Sequence, residues 1–136
     1  MNSVYVLIFL MVLSIVLDLN NQTTRKCVMK NKRILPLLIF HHILSIFLYF
    51  GWILNDKRIL QVYLFIPPVI AMHWLINENC ILTEYTNETC KWKKNKYLND
   101  LIEQINFKRK AFLDIIKYHY ILIILGYCIA LYKVFV

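Results

Sequence analysis

Ile34-Leu35-Pro36-Leu37-Leu38-Ile39-Phe40-His41-His42-Ile43-Leu44-Ser45-Ile46-Phe47-Leu48-Tyr49-Phe50-Gly51-Trp52-Ile53-Leu54 runs without a single Asp, Glu, Lys or Arg. A hydrocarbon core about 30 Å thick needs about 20 mostly apolar residues in a helix, so the stretch reads as a membrane span. Its apolar residues occupy every face rather than one stripe, as expected of a helix with no aqueous side. Pro36 falls in the first turn, where a missing N–H costs nothing.

Three further runs lie on either side of it. Residues 4–19 are apolar apart from Ser14 and Asp18. They carry no preceding positive charge and no small-residue cleavage site, so they read as a retained helix and not a signal peptide. After the tight connection Asn55-Asp56-Lys57-Arg58, residues 59–77 form a third run containing Pro67-Pro68. Those prolines strip the partners from the carbonyls of Tyr63 and Leu64, which predicts a kink. Residues 111–132 form the fourth run. Four spans and their connections use up all 136 residues, so the reading is all-α, one membrane domain over 1–136, a four-helix transmembrane bundle. With 60% hydrophobic and 18% charged residues, too little polar surface remains for a small water-soluble domain.

Two connections are polar, 20–33 and 78–110. In the second, Leu98, Leu101, Ile102 and Ile105 share one helical face behind Asn99 and Glu103. This predicts a short amphipathic interfacial helix before the last span, delivering Lys108, Arg109 and Lys110 to lipid headgroups. The two connections hold five and seven Lys or Arg, against two in the tight connection and one at the C-terminal end. That bias predicts cytosolic connections and exoplasmic or lumenal termini. It also assigns the net charge of +8 to anionic lipid and to protein partners at 78–110. No nucleic-acid motif accompanies it.

Asn21-Gln22-Thr23 and Asn87-Glu88-Thr89 oppose this orientation, because both match the glycosylation acceptor pattern on the side assigned to the cytosol. The cysteines, Cys27, Cys80, Cys90 and Cys128, show no metal-ligand or CxxC spacing. Cys128 reads as a small buried hydrophobe. If the orientation is inverted, Cys80 and Cys90 become disulfide partners.

Polar groups inside spans are costly and mark candidate sites. At about 1.5 Å per residue, His41, His42 and His119 lie roughly 10–12 Å inside the starts of their spans, and His73 roughly 6–9 Å from the end of its own. Alternating helix direction brings all four to one height, at the end where Asp18, Asn77, Glu78 and Cys80 also gather. These imidazoles are candidate ligands for a metal ion or a haem. The alternatives are hydrogen bonds between helices, for example to Ser45, Tyr118 or Tyr120, and a proton-conducting or transport role. Asp114 and Lys117, three apart, read as an ion pair. Gly51 and Gly126 mark close helix approach, although no GxxxG pair exists.

His42, Phe47 and Gly51, followed by Cys80-Ile81-Leu82-Thr83-Glu84-Tyr85, resemble a bacterial family of small membrane proteins of unknown function. There a histidine-bearing helix with phenylalanine and glycine precedes a hairpin ending in Cys-Pro-Leu-Thr and a glutamate. The similarity covers residues 34–90, and departs where Ile81 stands for the proline and where the glutamate is one place out of register. The resemblance implies His42, Cys80 and Thr83 as positions of interest, and no activity.

Other chemistries are missing from the sequence. Two glycines, both in spans, give no phosphate loop or dinucleotide fingerprint, and there is no Gly-x-Ser-x-Gly elbow and no TVGYG-like filter. No catalytic set can be named. The richness in Ile, Lys and Asn points to an AT-rich genome such as that of a large DNA virus, a protist or an AT-rich bacterium. The sequence therefore predicts a non-enzymatic, membrane-organising protein able to self-associate. A histidine-ligated redox protein and a small transporter subunit are the alternatives.

Overall fold

In the computed structural model of this chain the described residues are 3–77, 80–92 and 115–136, without the side chains at 74, 77 and 115–119. Among them the fold is all helical. The elements are α1 (Ser3–Leu19), α2 (Gln22–Lys30), α3 (Ile34–Phe50) with a 3-10 turn at Gly51–Ile53, α4 (Lys57–Asn77), α5 (Ile81–Thr89) and α6 (Ile115–Phe135). The expected interfacial helix, Glu78, Asp114 and the basic triplet Lys108, Arg109 and Lys110 lie outside the described residues.

Among the described residues one helix, Ile34–Ile53, is long and apolar enough by itself to cross a membrane. α1 and α2 pass that test only as a pair, bent by 84° at their junction, and Tyr120–Phe135 is a shorter apolar helix. α3 is the hub, touching α1, α2, α4, α5 and α6. The core joins Leu7, Ile46, Leu54, Leu60, Tyr63 and Ala130.

Two short helices occupy connections that read as irregular. Asn21 caps α2 by accepting the Thr23 N–H at 3.0 Å, satisfying one of the orphan donors of a first turn. α5 lays Thr83, Thr86 and Asn87 inward and packs on α3. The acceptor asparagine of the second glycosylation pattern is thereby buried. The hairpin between α3 and α4 is capped too: Asp56 Oδ1 accepts the N–H groups of Arg58 and Ile59 at 2.8 and 3.2 Å. α4 continues as one helix through Pro67 and Pro68. Tyr63, one turn before them, donates its hydroxyl to the Leu48 carbonyl at 3.0 Å, one of the four carbonyls that the end of α3 leaves open.

Lys133, near the end of α6, extends its ammonium to the carbonyls of Trp52 and Leu54 and to Asn55 Oδ1, at 3.0, 3.3 and 3.1 Å. A cation is favourable at this C-terminal helix end, where carbonyls crowd. Gly126 and Ala130, one turn apart on α6, are both buried, and a Cβ at Gly126 would run into the Trp52 ring. The close approach predicted at Gly126 is therefore present, within a small-xxx-small pair completed by alanine. Cys128 corrects the expectation of burial. It is exposed on α6, because Gly126 and Ala130 hold the inward face.

Candidate functional site

α1 turns Leu7, Ser14 and Asp18 inward, while Tyr5, Ile8, Phe9, Val12 and Val16 lie exposed on its other side. Seven- and four-residue steps return to the same face of a 3.6-residue helix, so Ser14 and Asp18 stack one turn apart and meet α3. There His42 is fully buried between them. Its Nε2 lies 3.0 Å from Asp18 Oδ2 and its Nδ1 lies 2.8 Å from Ser14 Oγ. The other carboxylate oxygen, Oδ1, accepts the Thr24 hydroxyl of α2 at 2.9 Å. Ser14, Asp18 and His42 are each 0% exposed. A single tautomer satisfies the network: Nε2–H donates to Asp18, and the Nδ1 lone pair accepts from Ser14.

Asp18 is thus a bracket, holding α3 through one oxygen and α2 through the other. It sits two residues before the 84° bend and fixes the direction in which α2 leaves. That direction carries Cys27 to Cys90, and the two form a disulfide with a Cα–Cα distance of 5.6 Å. Polar network and disulfide lie at the same end of the molecule. The disulfide ties α2 to the end of α5. The conditional pairing of Cys80 with Cys90 is replaced: Cys90 is taken by Cys27, and Cys80 is a free thiol at the start of α5.

The four histidines fare differently. His41 and His42 meet edge to face, with ring centroids 5.7 Å apart, and His41 Nε2 lies 3.4 Å from Ser45 Oγ one turn on. His42 has no lone pair left for a metal unless it gives up Asp18 or Ser14. Among the described residues no group of three or more His, Cys, Asp or Glu is placed to hold a metal ion. His73 is partly buried on α4. His119 and Lys117 belong to the stretch of α6 whose side chains are not described, so the proposed pair with Asp114 lies outside as well. Of the positions the family resemblance implied, His42 and Thr83 are buried on α3 and α5, which pack together.

Ser14, His42 and Asp18 have the connectivity of a hydrolytic triad. Ser14 is nevertheless 0% exposed, and its hydroxyl serves His42 as a donor. The chemistry left to the site is mechanical: charge-assisted hydrogen bonds that lock three helices into one arrangement.

Sequence reasoning had Asp18 and His42 at one height and did not join them. The signal was available, since an acid one turn after a serine on an otherwise apolar helix needs an inward-facing partner. Thr24 carried no signal. Comparisons with protein-family models, with curated proteins and with solved structures gave no match to this chain, so the functional reading rests on this geometry.

Proposed function

We infer that this is a small multi-pass membrane protein, non-enzymatic, whose four long helices cross the bilayer and whose task is to hold a basic surface against the membrane. One observation carries the reading, an inverted distribution of polarity. The core encloses Ser14, Asp18, Thr24, His41 and His42, while large apolar side chains face outward. On α4 these are Val62, Phe65, Val69, Met72 and Ile76, and on α6 Ile121, Ile124, Leu125 and Tyr132. Water-soluble domains do not leave such continuous stripes uncovered, whereas lipid tails cover them at no cost. The 21 residues of α4 and of α6 have the length of a span. The 17 of α1 reach about 26 Å at 1.5 Å each, the short end of the range.

The Cys27–Cys90 bond supports one side of the membrane over the other. Disulfides persist in oxidising compartments and are rare in the cytosol, so the two connections face the lumen or exterior and both termini face the cytosol. This reverses the orientation expected from Lys and Arg counts. That rule is a statistical bias acting during insertion, whereas a Cys27–Cys90 bond, once formed, favours an oxidising compartment for the folded chain. The surface presented there is α2, with Arg25, Lys26 and Lys30, followed by Lys32 and Arg33.

Alkaline carbonate extraction of expressing cells tests the reading, with non-reducing electrophoresis after trapping free thiols. The chain is expected to stay in the membrane pellet, with Cys27 and Cys90 protected from alkylation. Release into the supernatant overturns the membrane reading, and reduced thiols overturn the orientation.

A further inference from the structure

Beside the disulfide lies a cleft of about 380 Å³, lined by Gln22, Thr23, Lys26, Cys27, Lys30, Cys90 and Trp92. We propose that this cleft binds the phosphate of an anionic glycerophospholipid. The inference deepens the membrane reading above and rests on it.

The lining fits that ligand in charge, geometry and position. Lys26 and Lys30 are four apart on α2, hence one above the other on the same face, and among the described residues no acidic side chain lines the cleft. Gln22 and Thr23 come from the first turn of α2, where the helix dipole is positive and favours an anion. Trp92, held opposite by the Cys27–Cys90 bond, is the residue type that settles at headgroup level. The cleft also stands where lipid would reach it. α2 leaves α1 at 84°, directly after the exposed stripe that ends in Val12 and Val16. With α1 along the bilayer normal, α2 lies along the interface. A lipid headgroup at that interface then lies at the level of the two ammonium groups, with its acyl chains in the bilayer beside α1.

A soluble phosphate would meet the same lysines without using the stripe, and this separates the two ligands experimentally. Full-length protein in detergent micelles is titrated with phosphatidic acid, phosphatidylcholine or glycerol 3-phosphate, and adducts are counted by native mass spectrometry. Phosphatidic acid is expected to bind at least tenfold tighter than the other two. Lys26→Gln with Lys30→Gln should weaken it about thirty-fold, as two cations removed from an anionic surface do, while Lys57→Gln with Arg58→Gln at the α3–α4 hairpin changes nothing. An oxidised Cys27–Cys90 bond in the double variant shows that its fold is intact. Equal binding of phosphatidylcholine, equal binding of glycerol 3-phosphate, or an unaffected double variant each overturns the proposal. None of these results touches the carbonate extraction, so a protein that stays in the membrane but shows no selectivity refutes the cleft alone.

Discussion

Replacing Asp18 by Ala removes the acceptor of two buried donors, His42 Nε2–H at 3.0 Å and the Thr24 hydroxyl at 2.9 Å. A buried donor left without a partner costs about 1–3 kcal/mol, although side-chain hydrogen bonds inside membrane bundles sit at the lower end, about 0.6–1.7 kcal/mol. The Thr24 hydroxyl can turn back to a carbonyl of its own helix, so most of the loss falls on His42. The sum is about 1–3 kcal/mol. Asp18→Asn keeps the shape. His42 can change tautomer, accepting the amide N–H at Nε2 and donating from Nδ1 to Ser14, so the loss should be about 1 kcal/mol. Val16→Ala, on the exposed side of the same helix, is the control and should cost less than about 0.5 kcal/mol. Reversible unfolding in mixed micelles, followed by far-ultraviolet circular dichroism, gives all three values. If Asp18→Ala is no worse than Val16→Ala, the bracket does not hold the helices. If Asp18→Asn is as harmful as Asp18→Ala, tautomer exchange is refuted.

Three more outcomes follow from particular contacts. Cys27→Ser opens a covalent loop between residues 63 apart and should cost about 4 kcal/mol of unfolding free energy on the chain-entropy account; the oxidised form should also migrate faster than the variant on non-reducing gels. Lys133→Met leaves the carbonyls of Trp52 and Leu54 to find water, for about 1–2 kcal/mol, and should speed amide hydrogen exchange at the α3–α4 hairpin relative to α1. Gly126→Leu drives a side chain into the Trp52 ring and should destabilise by about 1–3 kcal/mol, with a shifted tryptophan emission spectrum.

The long elements were legible because each is a long, nearly unbroken run of apolar residues. α1, α3 with its 3-10 turn and α4 fall within two residues of the predicted spans at both ends. α2 was not legible, since Gln22-Thr23-Thr24-Arg25-Lys26-Cys27-Val28-Met29-Lys30 is short and mostly polar, with Cys27, Val28 and Met29 its only apolar residues. It is a helix because Asn21 caps it and Asp18 and the disulfide hold it at either side of its middle. Asn21 matches the glycosylation acceptor pattern, and its side chain accepts the capping hydrogen bond. At the site, depth could be counted from sequence but helix rotation could not. Rotation decides that His42 faces Asp18 and Ser14, and that Cys27, not Cys80, meets Cys90.

The account stands on helices that cross lipid, with α2 and the α3–α4 hairpin at opposite faces. Site-directed labelling tests this most directly. Cys80→Ser and Cys128→Ser remove the free thiols while Cys27 and Cys90 stay bonded, and a single cysteine is then placed at exposed Met29 or exposed Lys57. A membrane-impermeant maleimide added outside sealed, oriented vesicles should label one position and reach the other only after the membrane is opened. Equal labelling of both positions from the same side would contradict the account.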